Sequence, residues 1–172
     1  MKLLTILSGL LILGCSPNTS DTGSNFNEGK IAPDFSYTSL NNETVTLSDL
    51  KGKVVYIFFF GANCPHCRSN GPVTENSIYQ KFMNDSNFTA IGLDTWNTSA
   101  AAITNFKNVT GISYPLLLNA RQSLIDYYGN TSDYDRSVVI APDGTIAYQG
   151  SQFVNKDINS VINIIEAQLS NF

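Results

Sequence analysis

Histidine, methionine and runs of basic residues are what this 172-residue chain has least of: it holds one histidine, two methionines and three cysteines. With so few imidazole and sulfur donors, a multi-ligand metal centre has little to draw on. The net charge of -4 and the lack of any Lys/Arg run leave no phosphate footprint, which argues against nucleic acid as a partner. No Gly-rich phosphate loop occurs, and no Ser-His-Asp set can be assembled around the lone His66. The chain also lacks an apolar run of the roughly 20 residues that a spanning helix needs, since its longest largely apolar stretch, Leu3 to Leu13, is shorter. No internal repeat and no second domain is visible.

What is present is Cys64-Pro65-His66-Cys67, directly behind the apolar run Val54 to Phe60 and in front of a segment that reads as a helix. A helix N-terminus lowers the pKa of a thiol, and a strand end presents it to solvent. The placement points to thiol-disulfide chemistry. A bridge between residues so close together is a poor brace, because stabilisation falls with loop length, so the pair reads as a redox couple.

The third cysteine bears on location. Met1-Lys2, the apolar stretch and Ile12-Leu13-Gly14-Cys15 resemble the signal and lipobox of bacterial lipoproteins. The resemblance implies that residues 1–14 are a signal peptide cleaved before Cys15, and that the Cys15 sulfur takes a diacylglyceryl group. Several acyl chains anchor stably where one does not. The expectation is a domain tethered to a bacterial membrane outside the cytoplasm, on the periplasmic side or at the cell surface; the alternative is an uncleaved or non-lipidated signal peptide. With Cys15 lipidated, Cys64 and Cys67 can pair within the chain only with each other. Residues 15–29, poor in apolar side chains, read as a flexible tether, and residues 30–172 as one folded domain.

Within that domain strand-like and helix-like segments alternate, which predicts an α/β domain around a central sheet. Phe35 to Tyr37 and Thr44 to Leu47 read as short peripheral strands. Val54 to Phe60 is apolar on both faces and belongs inside the sheet. A helix is expected from the cysteines to about Met83, interrupted at Gly71-Pro72, because proline removes a backbone hydrogen bond. Phe88 to Leu93 reads as the next buried strand, Thr98 to Val109 as a helix and Leu116 to Leu118 as a short strand. Arg121 to Tyr128 reads as a helix closed by Gly129. Ser137 to Ala141 and Thr145 to Tyr148 flank the turn Pro142-Asp143-Gly144. The last helix is expected to start near Asn155, a good N-cap, with Ile158, Val161, Ile162, Ile165 and Leu169 forming one apolar stripe.

Ala32-Pro33-Asp34-Phe35, Leu47-Ser48-Asp49-Leu50-Lys51-Gly52-Lys53, the buried strand, the Cys64–Cys67 motif and Pro72 together resemble the thioredoxin superfamily. The likeness is greatest to its TlpA/ResA-like (redoxin) branch, and it spans Lys30 to Phe172. The resemblance implies a thioredoxin-like fold: a central mixed sheet flanked by helices, with an inserted helix and strand from Thr98 to Leu118. It also implies a thiol-disulfide oxidoreductase without bound cofactor, working as a monomer on protein thiols and disulfides and served by a separate redox partner. In it Cys64, at the exposed helix start, would be the attacking thiolate and Cys67 would resolve the mixed disulfide. Pro65 and His66 would tune the thiolate, His66 by a hydrogen bond or positive charge, and a Pro-His dipeptide is what DsbA-like oxidases carry.

Three positions depart from the pattern. Asn63 replaces a common tryptophan, and Asn70 stands where some reductase-type relatives carry a glutamate. Tyr134-Asp135-Arg136-Ser137 covers the stretch where relatives place a cis-proline facing the disulfide, and it contains none. Arg136 suggests an alternative function, since peroxiredoxins place an arginine near this point to stabilise a thiolate and bound peroxide. The residue equally suits a surface ion pair with Asp133 or Asp135. A Pro-x-x-x-Thr-x-x-Cys signature is not met, because Phe60 and Cys64 occupy its proline and threonine positions. Carriage of Cu(I) or zinc by the two thiolates is the non-enzymatic alternative, and no metal is assigned. Asp94 and Trp96 either border the active site or cap a loop, while Tyr127, Tyr128 and Tyr134 read as cover for the sheet.

Overall fold

The computed structural model describes residues 27–172. The signal peptide, Cys15 and most of the tether lie outside the described residues. Residues 27–29, placed in the tether by their composition, are tied to the domain. Asn27 Nδ2 donates to the Tyr127 carbonyl (2.7 Å), the Gly29 N–H donates to the Ile146 carbonyl (2.9 Å), and Glu28 Oε1 accepts from the Gln149 N–H (3.1 Å). Backbone bonding to the last strand therefore starts before the apolar pattern does.

A hairpin of β1 (Ser36–Thr38) and β2 (Thr44–Thr46) precedes the main sheet. That sheet contains β3 (Val54–Phe60), β4 (Phe88–Asp94), β5 (Leu116–Leu117), β6 (Arg136–Ile140) and β7 (Ile146–Gln149) in the order β5-β4-β3-β6-β7. β3, β4 and β5 run parallel, and β6 and β7 join antiparallel, so the sheet is mixed. All seven residues of β3 are buried because helices or loops cover both faces. Val54, Tyr56, Phe58 and Phe60 point to one side with Ile103, Phe106, Val161 and Ile165; Val55, Ile57 and Phe59 point to the other with Phe35, Leu47, Leu124 and Tyr127.

The helices are α1 (Pro65–Thr74), α2 (Gln80–Phe82), α3 (Ala100–Thr110), α4 (Arg121–Tyr128) and α5 (Val154–Leu169). The irregularity expected at Gly71-Pro72 comes a turn later. Pro72 lies inside α1, and the chain then widens into a π-helical segment, Glu75–Tyr79, before α2. That segment holds the buried Glu75, whose carboxylate accepts from the Ser113 N–H (2.9 Å), Ser113 Oγ (2.7 Å) and Gln80 Nε2 (2.6 Å). α5 starts one residue ahead of Asn155: Phe153 occupies the N-cap position without a side-chain cap bond, because a phenyl ring offers no acceptor to the first N–H groups.

Candidate active site

The parallel strand β3 ends at Phe60, and the chain turns through Gly61 to Asn63 into α1 at the C-terminal edge of the sheet. Cys64 is the N-cap of α1, and Pro65 occupies the first turn, where its missing N–H would have had no partner. The Cys64 sulfur accepts the Cys67 N–H at 3.2 Å, the geometry of a capping serine transferred to sulfur. The Cys67 sulfur accepts the Gly61 N–H at 3.5 Å from beneath. Both residues are free thiols in this structure.

Their environments push the two thiols apart. The hydrogen bond from the Cys67 thiol lowers Cys64 to about 6 against the opposition of burial, and the N–H groups of Cys67 and His66 help. Burial drives Cys67 far above the ordinary thiol range, and donation to Cys64 keeps its proton in place. One sulfur is thus suited to be a thiolate at neutral pH and the other a thiol. Cys64 is only 1% exposed, which corrects the expectation of an exposed sulfur: the side chain folds back over the first turn of α1 to cap it. Asn63 and Pro65 on either side are exposed, so the cover is local.

His66 and Arg136 both meet the ring of Phe153. The exposed His66 ring stacks on Phe153 (centroids 4.8 Å apart, planes 14° apart), and the Arg136 guanidinium lies over the same phenyl ring at 5.0 Å. What reaches the Cys64 sulfur from His66 is the backbone N–H. Arg136 Nη2 pairs with Asp133 at 3.3 Å and Nη1 donates to the carbonyls of Tyr134 and Asp135; it makes no hydrogen bond to either sulfur. The ion pair with Asp133 that the sequence also suited is present.

Asp135 is the residue that sequence reasoning passed over. It holds the place of the expected cis-proline, in the left-handed region at φ 59°, and it is fully buried. No peptide bond among the described residues is cis. Its Oδ2 accepts from Asn70 Nδ2 at 2.7 Å, so the carboxylate missing from helix position 70 arrives from the opposite loop. Burial pushes this carboxyl up, while Asn70, Arg136 and His66 act against the rise. The available signal was the pairing of two departures from the family pattern, Asn70 and Asp135.

Trp96 borders the site rather than capping a loop. Its indole packs on Gly61, where a Cβ would meet the ring at 2.5 Å, and Tyr134 abuts it edge-on at 5.0 Å. Asp94 instead caps the following turn, accepting from the Thr98 N–H (2.7 Å) and Oγ1 (2.9 Å). Tyr127 and Tyr128 cover the sheet against Phe59. Among the described residues no group of three or more His, Cys, Asp or Glu side chains converges as a metal site would require.

Two cysteines at the end of a central strand, on a mixed sheet flanked by helices, fit a thioredoxin-like thiol-disulfide oxidoreductase. Residues 28–149 match the AhpC/TSA family, and the chain belongs to that family. It is 34% identical over 121 residues to the thiol-disulfide oxidoreductase ResA of Bacillus thuringiensis strain Al Hakam, covering 70% of this chain and 68% of the relative. The ResA of Bacillus subtilis strain 168 is 30% identical over 120 residues, with coverages of 69% and 64%. A solution structure from Bacteroides thetaiotaomicron, provisionally described as a protein disulfide isomerase, superimposes with a TM-score of 0.74 at 30% identity, covering 83% of this chain and 90% of that one. The thioredoxin domain of a Bacteroides vulgatus thiol-disulfide oxidoreductase shares the fold, with a TM-score of 0.67 at 22% identity and coverages of 80% and 97%.

Proposed function

We propose that Cys64 and Cys67 are the redox pair of this oxidoreductase and that its substrates are protein thiols and disulfides outside the cytoplasm. The observation that carries the reading is the placement of the two sulfurs: Cys64 caps α1 and accepts the Cys67 N–H at 3.2 Å, while Cys67 lies buried over the Gly61 N–H, which lowers Cys64 and raises Cys67. In the reducing direction the Cys64 thiolate attacks a substrate disulfide, forming a Cys64–substrate bond and releasing a substrate thiolate. Cys67 then gives up its proton and attacks the Cys64 sulfur, forming the internal disulfide and releasing the second substrate sulfur. The oxidising direction is the same sequence reversed. Before the bond to substrate forms, the Cys64 side chain must turn outward from its capping position. Names of the relatives at 34% and 30% identity support disulfide exchange as the reaction, and the lipobox-like Ile12 to Cys15 supports a lipid anchor on the outer side of a bacterial membrane.

Trapping tests the assignment. A Cys67→Ser variant mixed with a disulfide-bonded protein should accumulate a covalent complex through Cys64 that reductant releases, while Cys64→Ser should form none and lose exchange activity. Retention of activity by Cys64→Ser would falsify it.

A further inference from the structure

Asp135 is held by the same two elements that hold the Cys67 sulfur. Its N–H donates to the Phe59 carbonyl near the end of β3 (2.7 Å), and Oδ2 accepts from Asn70 on α1 (2.7 Å). Asn70 is three residues after Cys67, on the same side of the helix, and Gly61, two residues after Phe59, donates to Cys67 Sγ. The carboxylate therefore sits in the wedge between strand and helix where the buried sulfur sits. Oδ1 has no hydrogen-bond partner among the described residues. A buried acceptor left unpaired is destabilising, so fold stability gives no reason for an acid here. Nor does the backbone: Asn42, Asn97 and Asn119 hold φ of 60°, 52° and 60° in this chain, and asparagine would serve at φ 59° as well.

We propose that Asp135 sets the redox poise of the Cys64–Cys67 pair, its negative charge opposing the thiolate and holding the couple more reducing than the motif alone would make it. The proposal rests on the reading of that pair as the redox couple. Reduction of the disulfide by a protein dithiol moves two electrons onto the pair, breaks the Cys64–Cys67 bond and forms one in the substrate. Of the two substrate protons, one goes to Cys67 and the other to solvent, which leaves a negative charge on Cys64. A carboxylate nearby disfavours that product, whereas a stabilised thiolate makes a couple more oxidising.

The groups facing Asp135 leave its charge in play. Cys64, Cys67 and His66 face it from α1, Tyr56 from β3 and Asp157 from α5, with Arg136 beside it on β6. Arg136 divides its donors between Asp133 and two backbone carbonyls, and His66 lies on Phe153. Neither bonds the free oxygen.

The test compares the native protein with Asp135→Asn, folded state being checked by circular dichroism. Two quantities are read without a protein substrate: the thiolate absorbance of Cys64 against pH, and the equilibrium of the pair with reduced and oxidised glutathione at fixed pH. The variant should titrate Cys64 at lower pH and shift the glutathione equilibrium toward the dithiol by about threefold or more, the ratio that half a unit of thiol pKa represents. Asn70→Ala, which removes the amide stabilising the ionised carboxylate, should move both readings in the same direction. Unchanged readings, or a shift toward the disulfide, would overturn the role of Asp135 while leaving the redox pair standing. If the native pair forms no disulfide with glutathione, both readings fall.

Discussion

Asp135 and Cys64 show how far a residue's surroundings outweigh its type. The CxxC motif was legible because its spacing and its place behind an apolar strand are local properties. That the Cys64 sulfur turns inward was not, since it depends on competition between solvent and the Cys67 N–H. Asp135 was flagged as the absence of a proline and as a surface partner for Arg136; its burial and its bond to Asn70, which joins residues 65 positions apart, were not legible. Gly61 is a second case. Its hydrogen stands where the Trp96 indole closes on the turn before the cysteines, and a Cβ would lie 2.5 Å from that ring. Gly61→Ala is expected to displace the indole and destabilise the protein by about 1–3 kcal/mol, the usual range for overpacking. Because Trp96 is the sole tryptophan, its fluorescence reports the displacement directly; an unchanged spectrum and an unchanged denaturant midpoint would contradict the packing.

The elements were legible in proportion to how local their signals are. α4 falls where expected, Arg121–Tyr128, because Gly129 takes the left-handed conformation (φ 70°) and its N–H closes on the Ile125 carbonyl. The start of α5 near Asn155 was legible but its N-cap was not, since no side-chain cap marks it and the Phe153 ring lies between His66 and Arg136 in a contact made only by tertiary folding. α5 also carries a buried acid, Asp157, whose Oδ2 accepts from the Tyr148 hydroxyl at 2.9 Å. Burial raises this carboxyl to about 6, although the Tyr148 bond and Arg136 resist the rise. The folded protein then binds the proton more tightly than the unfolded chain, so stability falls as pH rises from about 4 to about 6 and is level above that. Asp157→Asn keeps an acceptor for Tyr148 and removes the titration. The stability of the variant relative to the native protein should therefore rise across that window in urea unfolding at several pH values. A constant difference would show that Asp157 titrates normally.

At the scale of the whole molecule, alternation of strand and helix patterns identified the α/β class, and the both-faced burial of β3 was readable from its uninterrupted apolar run. The fold supplies the site with a strand end, a helix start and a facing loop, and their junction makes two sulfurs three residues apart in the motif chemically unequal. That inequality underlies the proposed exchange reaction and the poise assigned to Asp135. It is tested most directly by alkylating the reduced protein with iodoacetamide across pH and identifying the labelled peptide by mass. Cys64 should react with a midpoint near pH 6, while Cys67 stays unlabelled to about pH 9, beyond the ordinary thiol range. Labelling of both cysteines together with one midpoint between about 8 and 9 would contradict it.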